Sequence, residues 1–327
     1  MQHPEDIASV KSRIDQELAD IATYLRQVLL GQGKGLNACI EHVLKQPGKQ
    51  LRPRLVLLVA AAQGALTDVA RRRAAWVHMF HDGSLVHDDI VDAASYRRGV
   101  RTVHTLWDNQ TGVLLGDYLL SQLLRMAVAH HDIQFIDTIA EVMQVMVQGE
   151  FLQLEKSCQF DIDEPAYFEA IRKKTAKFIA ACCTLGALSA GAHPDQAAVW
   201  RDLGADLGIA FQIRDDILDL GGFPNIDPGK DIGQDIKARK VTLPLLYALQ
   251  QTTADNREKM WAILHLPSLD SVRLRPIMSL IEATGAIPHA QAAMYRYRNQ
   301  AIRLLHTHVA PSVYRDALHE LIMCLIC

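Results

Sequence analysis

At 327 residues the chain is long enough for one large domain or two ordinary ones, with a sizeable buried core in either case. With 49% apolar and 22% charged residues its composition is globular, which excludes a disordered or fibrous chain. A net charge of −3 without any Lys/Arg-rich block gives no electrostatic reason to expect nucleic acid as a partner.

The chain opens MQHPEDIASVKSRIDQEL, acidic and polar where a secretion signal is basic and then apolar, so a cytoplasmic location is expected. No proline falls between Pro53 and Pro165. That segment predicts several long apolar-periodic helices. Their turns are expected at Gln63–Asp68, Ala94–Arg101, Asn109–Thr111 and Ala129–Asp132. The weakly polar stretch from Phe178 to Ala192 is too short and too rich in small residues to span a bilayer. Further helices are expected near 243–251, 256–264, 271–284, 289–308 and 311–325, with Gly285 stopping one helix before Pro288 starts the next. Period-two strand runs are nearly absent, which predicts an all-α fold. No Gly/Ser- or Pro-rich linker divides the chain, so a single domain over residues 1–327 is expected. The cysteines at 39, 158, 182, 183, 324 and 327 lack disulfide-framework spacing, and Cys324 and Cys327 have no second ligand pair for zinc.

One long-range echo stands out: DDIVD at 88–92 and DDILD at 215–219. On a helix Asp88 and Asp92 share a face, with Asp89 about 100° round the axis, and Asp215, Asp219 and Asp216 repeat that geometry. Carboxylates stacked this way repel each other, by a few tenths of a kcal/mol. Apolar neighbours flank both clusters, Leu85 and Val86 before one, Ala210 and Phe211 before the other. A solvated acidic face needs no such flanks. Carboxylate oxygens suit Mg²⁺, which completes its shell with water and phosphate, so two clusters facing one cavity would clamp a diphosphate.

Cations accompany the aspartates. Gly48-Lys49-Gln50-Leu51-Arg52-Pro53 places two cations three residues apart, Arg97-Arg98-Gly99 follows the first cluster, and Gly229-Lys230 follows the second. Lys173-Lys174-Thr175 adds a cation beside a hydroxyl. Guanidinium groups suit bidentate phosphate binding. Singly each reads as a solvated surface charge; jointly they read as a phosphate shell.

In order, GKxxRP, HxxxxxHDDxxD, RRG, GExxQ, KT, FQxxDDxxD, GKD and KxTLP resemble the trans-polyprenyl diphosphate synthase family over roughly residues 45 to 250. Trp107-Asp108-Asn109, Gly116-Asp117-Tyr118 and Gly149-Glu150-Phe151-Leu152-Gln153 are most similar to bacterial medium- and long-chain members, such as the heptaprenyl diphosphate synthase catalytic subunit. The resemblance implies a bundle of long, mostly antiparallel helices around a central substrate cavity, the isoprenoid synthase type. It assigns Asp88, Asp92 and Asp215 to magnesium, with Asp89 in support and Asp216 and Asp219 completing the second cluster. It places Lys49, Arg52, His81 and Arg98 around isopentenyl diphosphate. Arg97, Lys174, Thr175, Gln212 and Lys230 fall around an allylic diphosphate (geranyl, farnesyl or geranylgeranyl), with Lys240 nearby. Pro47 and Ala238-Arg239-Lys240 depart from the family pattern without removing a needed charge.

The implied reaction ionises the allylic diphosphate, and isopentenyl diphosphate then attacks the cation before a proton leaves. Mg²⁺, about three per site in the family, and the cationic shell stabilise the charge on the leaving diphosphate. A homodimer, a small second subunit and transient membrane contact for product release also come with the resemblance. His87 is expected to orient the aspartates by a hydrogen bond. Gly83 and Ser84 lie one turn before Asp88, where related short-chain synthases carry a bulky aromatic; small residues there imply a product beyond C15, between C30 and C50. The bland alternative is tight helix–helix contact. A geranylgeranyl diphosphate synthase is the alternative within the same family. A class I terpene cyclase usually lacks GKxxRP and the second DDxxD, and a non-catalytic subunit typically loses aspartates or cations that this chain keeps.

Overall fold

The computed structural model describes residues 6–31, 33–46, 48–159, 163–223, 232–266 and 268–326. Pro47, Lys230 and Cys327 lie outside the described residues. Packing divides the chain into two compact units, one over Met1–Glu141, Ala180–Asp202 and Leu304–Leu321, the other over Val142–Ile179, Leu203–Arg303 and Ile322–Cys327.

In the first unit α1 (Ile7–Leu29) starts at Asp6, whose carboxylate accepts from the Ser9 N–H at 2.8 Å. It buries Val10, Ile14, Leu18, Ile21, Leu25 and Leu29, the single stripe that a spacing of three and four residues produces. After α2 (Lys34–Leu44) comes α3 (Leu51–Gln63), buried without interruption from Leu55 to Ala61. A helix apolar all round belongs at a centre. The Thr67 hydroxyl caps α4 (Asp68–Val91), which packs on α3 and α6 (Asn109–Ala129). Arg73 in α4 forms a buried ion pair with Asp132 at 2.7 Å, tying that helix to the start of α7 (Ile133–Gln159).

Between α4 and α6 lie a hairpin, β1 (Tyr96–Arg97) with β2 (Val100–Arg101), and the one-turn α5 (Val103–Leu106). Arg97 pairs with Val100 across a two-residue loop, Arg98-Gly99, with φ of 53° and 76°. Two positive φ values are what a hairpin turn matched to strand twist requires. The turn expected at Asn109–Thr111 is instead the first turn of α6, because the Asp108 carboxylate accepts from the Thr111 N–H at 2.6 Å and starts the helix there. By length and composition α6 is also apolar enough to cross a bilayer.

The second unit holds the later part of α7, α8 (Glu164–Ile171), a π-helix (Arg172–Ala176), the start of α9 (Lys177–Ser189) and most of α10 (Pro194–Asp219). The remaining helices are α11 (Gln234–Lys237), α12 (Leu243–Gln250), α13 (Ala254–Leu264), α14 (Ser271–Ala283), α15 (Ala286–His308) and α16 (Val313–Leu325). The expected C-terminal helices are all present. Pro276 lies inside α14, and Pro288 falls in the first turn of α15, where a missing N–H costs no helix bond. Glycines grip the π-helix from both sides: a Cβ at Gly149 of α7 would lie 2.9 Å from Lys173 Cβ, and one at Gly208 of α10 2.5 Å from Ala176 Cα. Among the described residues the one tiny hairpin leaves the fold class all-α, as expected.

Candidate active site

In the first unit the Gly48–Arg52 turn opens α3 with left-handed backbone at Gly48 (φ 58°) and Gln50 (φ 46°). The positive φ favours glycine at 48, and a Cβ there would also displace the Arg98 guanidinium group. Arg98 donates to the Gln46 carbonyl at 2.6 Å, which brings the RRG hairpin against the turn that carries the exposed Lys49. Arg52 Nη1 lies 3.0 Å from His81 Nε2. Burial, and next the Arg52 charge, hold the His81 imidazole well below its usual range, so it is neutral and accepts from Arg52. Arg52 and His81 are thus paired directly, while Arg98 bonds the turn that carries Lys49.

The first acidic cluster ends α4. Asp88 is half-buried and Asp92, the C-cap, is exposed, whereas Asp89 is 6% exposed. Arg97 reaches back from β1 and sets Nε and Nη2 each 2.7 Å from Asp89 Oδ1. Arg97, expected at the allylic diphosphate, is therefore engaged with the middle aspartate. His87 does not orient the aspartates: its ring fills the space over Gly116, and its Nε2 is 3.1 Å from the Val113 carbonyl. The helical period turns position 87 away from 88, toward α6. A Cβ at Gly83 would make ordinary 3.5 Å contacts with Gly116, Leu119 and Leu120, and the Ser84 hydroxyl donates to the His81 carbonyl at 2.9 Å.

In the second unit the KT motif sits on the π-helix, whose wider turn re-aims side chains and recurs at functional sites. Lys174 forms a close ion pair with Glu150 and lies 3.3 Å from Gln153 Oε1. Thr175, 7% exposed, donates to Gln212 Oε1 at 2.6 Å, and Gln212 Nε2 donates to Asp216 Oδ1 at 3.0 Å. The Tyr167 hydroxyl donates to the other oxygen, Asp216 Oδ2, at 2.6 Å.

The second cluster, expected to mirror the first, splits by depth: Asp215 is exposed, Asp216 is 4% exposed and Asp219 is fully buried at 0%. Asp219 accepts from the Asp235 N–H at 3.0 Å, and Lys240 follows in a turn where its own N–H donates to the Asp235 carbonyl. Burial, and next the charge of Asp235, push the Asp216 carboxyl up to about 7. Both clusters offer only carboxylate oxygens, the donors of a hard divalent ion that keeps water and phosphate in its shell. Among the described residues no three His, Cys, Asp or Glu side chains form a closed cage, and such an open shell needs none.

The positioning partners Glu150, Gln153, Tyr167 and Asp235 carried no assigned role in the sequence. The first two had a signal, since Glu150 and Gln153 lie three apart on one helical face. The other two had none, because their partners lie 49 and 16 residues away along the chain.

Residues 34–281 match the Polyprenyl synthetase family. The chain is 34% identical over 301 residues to heptaprenyl diphosphate synthase component 2 of Geobacillus stearothermophilus, covering 91% of this chain and 92% of that one. A decaprenyl diphosphate synthase structure from Rhodobacter capsulatus superposes with a TM-score of 0.90 at 29% identity, over 98% of each chain. A polyprenyl synthase from Caulobacter crescentus, solved with calcium and isoprenyl diphosphate, superposes with a TM-score of 0.88 at 29% identity, over 100% of this chain and 99% of that one. With its motif order, its all-helical fold and its paired carboxylate clusters, the chain belongs to the Polyprenyl synthetase family and is a divalent-metal-dependent trans-prenyltransferase acting on isopentenyl and allylic diphosphates.

Proposed function

We propose that the protein extends geranyl, farnesyl or geranylgeranyl diphosphate with isopentenyl diphosphate to a polyprenyl diphosphate of C30 to C50. The observation that carries this reading is the repeated acidic cluster with its middle aspartate locked by protein donors, Asp89 by Arg97 and Asp216 by Tyr167 and Gln212. Locking the middle member holds its helix end still beside the more exposed Asp88, Asp92 and Asp215. Asp88, Asp92 and Asp215 would hold Mg²⁺, three ions in all, whose charge offsets that growing on the departing diphosphate.

Lys49, Arg52 and Arg98, with neutral His81 behind Arg52, hold isopentenyl diphosphate and orient its double bond. Lys174, Thr175, Gln212, Lys230 and Lys240 hold the allylic diphosphate. Lys174 is preset by Glu150, so it trades one anion for another on binding. Both acidic clusters serve one reaction within a single synthase domain in the cytoplasm.

The exposed apolar residues Val113, Leu114, Leu124 and Val128 of α6 support a homodimer, and similarity to a heptaprenyl synthase component supports a small second subunit. The product contacts the membrane transiently on release. Purified protein incubated with Mg²⁺, labelled isopentenyl diphosphate and each allylic starter should yield products beyond C15 on chromatography after dephosphorylation. Ser84→Phe should shorten them toward C15 or C20, because a packed interior admits extra methylenes only at ~1–3 kcal/mol of strain. A wild-type product of C15 refutes the open channel, and an unchanged ladder in active Ser84→Phe removes position 84 from chain-length control.

A further inference from the structure

The second unit contains a continuous hydrogen-bond chain, Tyr167 to Asp216 to Gln212 to Thr175, with heavy-atom distances of 2.6, 3.0 and 2.6 Å. It starts at a tyrosine 4% exposed on α8, passes through an aspartate 4% exposed on α10, and ends at a threonine 7% exposed on the π-helix. Each link fixes the next. Against the ionised Asp216 carboxylate the Tyr167 hydroxyl donates, as does the Gln212 amide, so both Asp216 oxygens are taken by donors. The Gln212 amide must then turn its NH₂ toward Asp216, which presents its carbonyl oxygen to Thr175. The Thr175 hydrogen is thereby spent on Gln212, and the lone pairs and orientation of its oxygen are set.

We propose that Tyr167 is a positioning residue for the allylic diphosphate: acting through Asp216 and Gln212, it fixes Thr175 at the end of the π-helix. Asp216 in this arrangement is a buried anchor and not a metal ligand, although it stands in the second DDxxD. The inference rests on the reading that Thr175 and Gln212 face the allylic diphosphate. Tyr167 touches no substrate, so its effect passes through hydrogen bonds to charged groups, which bear on equilibria by about tenfold or more when lost.

The test is steady-state kinetics on the full chain with Tyr167→Phe, Thr175→Val, the double variant and Asp216→Asn, each checked for folding by circular dichroism. Tyr167→Phe should raise the Michaelis constant for the allylic diphosphate about tenfold, with that for isopentenyl diphosphate unchanged. Thr175→Val should do the same. The double variant should be no worse than the single ones, because members of one network are not additive. Asp216→Asn should also act on the allylic constant while the Mg²⁺ concentration for half-maximal rate stays as in the wild type. If Thr175→Val leaves the allylic constant unchanged, the assignment of Thr175 to that substrate fails. If Thr175→Val acts and Tyr167→Phe does not, or if the two effects simply multiply, the relay fails. Should Tyr167→Phe not fold, Asp216→Asn decides: a large rise in the Mg²⁺ requirement makes Asp216 a ligand and overturns the proposal.

Discussion

The two acidic clusters have nearly the same five residues and different surroundings. In DDIVD the middle aspartate is neutralised by a guanidinium: Asp89 is buried, and Arg97 sets two nitrogens on one of its oxygens. In DDILD the middle aspartate is held by neutral donors, Tyr167 and Gln212, with the Asp235 carboxylate close enough to raise it further. The first cluster thus sets an arginine on its middle aspartate, whereas the second surrounds its middle aspartate with neutral donors and a further carboxylate. The outer members differ as well. Asp92 ends its helix in solvent, while Asp219 ends its helix under the Gly233 and Asp235 amides. The same local spacing has produced two kinds of carboxylate site, because what approaches a helix end is chosen by other elements.

The largest expected effect tests whether both clusters are needed at all. Asp88→Ala and Asp215→Ala should each lower turnover on the order of 10³-fold with far-UV circular dichroism unchanged, since each removes a group that stabilises the leaving charge. Near-normal turnover in either variant would reduce the pair to one working cluster. Next come the cations that accompany each cluster. Lys49→Ala or Arg52→Ala should raise the Michaelis constant for isopentenyl diphosphate roughly ten- to a hundredfold, and Lys174→Ala should act on the allylic substrate or on turnover. Equal effects on both substrates from all three would break the division between the regions.

Stability gives a finer comparison. Arg97→Ala strands a buried carboxylate without its cation and should cost ~3 kcal/mol in chemical denaturation. Tyr167→Phe removes one neutral donor from a carboxylate that keeps another, and should cost ~1–2 kcal/mol. The reverse order would mean that the ionic lock on Asp89 is weaker than the neutral one on Asp216. The glycine ahead of each cluster gives a contrast of sign. Gly83→Ala meets only ordinary contacts and should add up to ~1 kcal/mol through helix propensity. Gly208→Ala would press on the Ala176 backbone at 2.5 Å and should destabilise by ~1–3 kcal/mol. Melting curves of the two variants should therefore move in opposite directions.

Much of the protein was legible in its residues. Apolar periodicity and the scarcity of strand runs specified long helices, because helix burial repeats every three to four positions in the chain itself; the last five helices fall where that pattern puts them. The paired DDxxD clusters and their cations were equally visible, since each is a contiguous motif whose chemistry follows from residue type. The turn expected at Asn109 was misplaced by a cap, a local hydrogen bond from Asp108 that the apolar pattern does not record. The π-helix, the closeness of Arg98 to Gly48 and the partners of Asp89 and Asp216 could not be read in advance. These depend on which distant backbone comes near, and a hydrogen bond between residues 49 apart leaves no trace in local spacing. Sequence alone determined which side chains were available for the chemistry and on what kind of element they ride. Only the packed structure decided which aspartates are anchors, because burial and donor geometry are properties of neighbours brought together by folding.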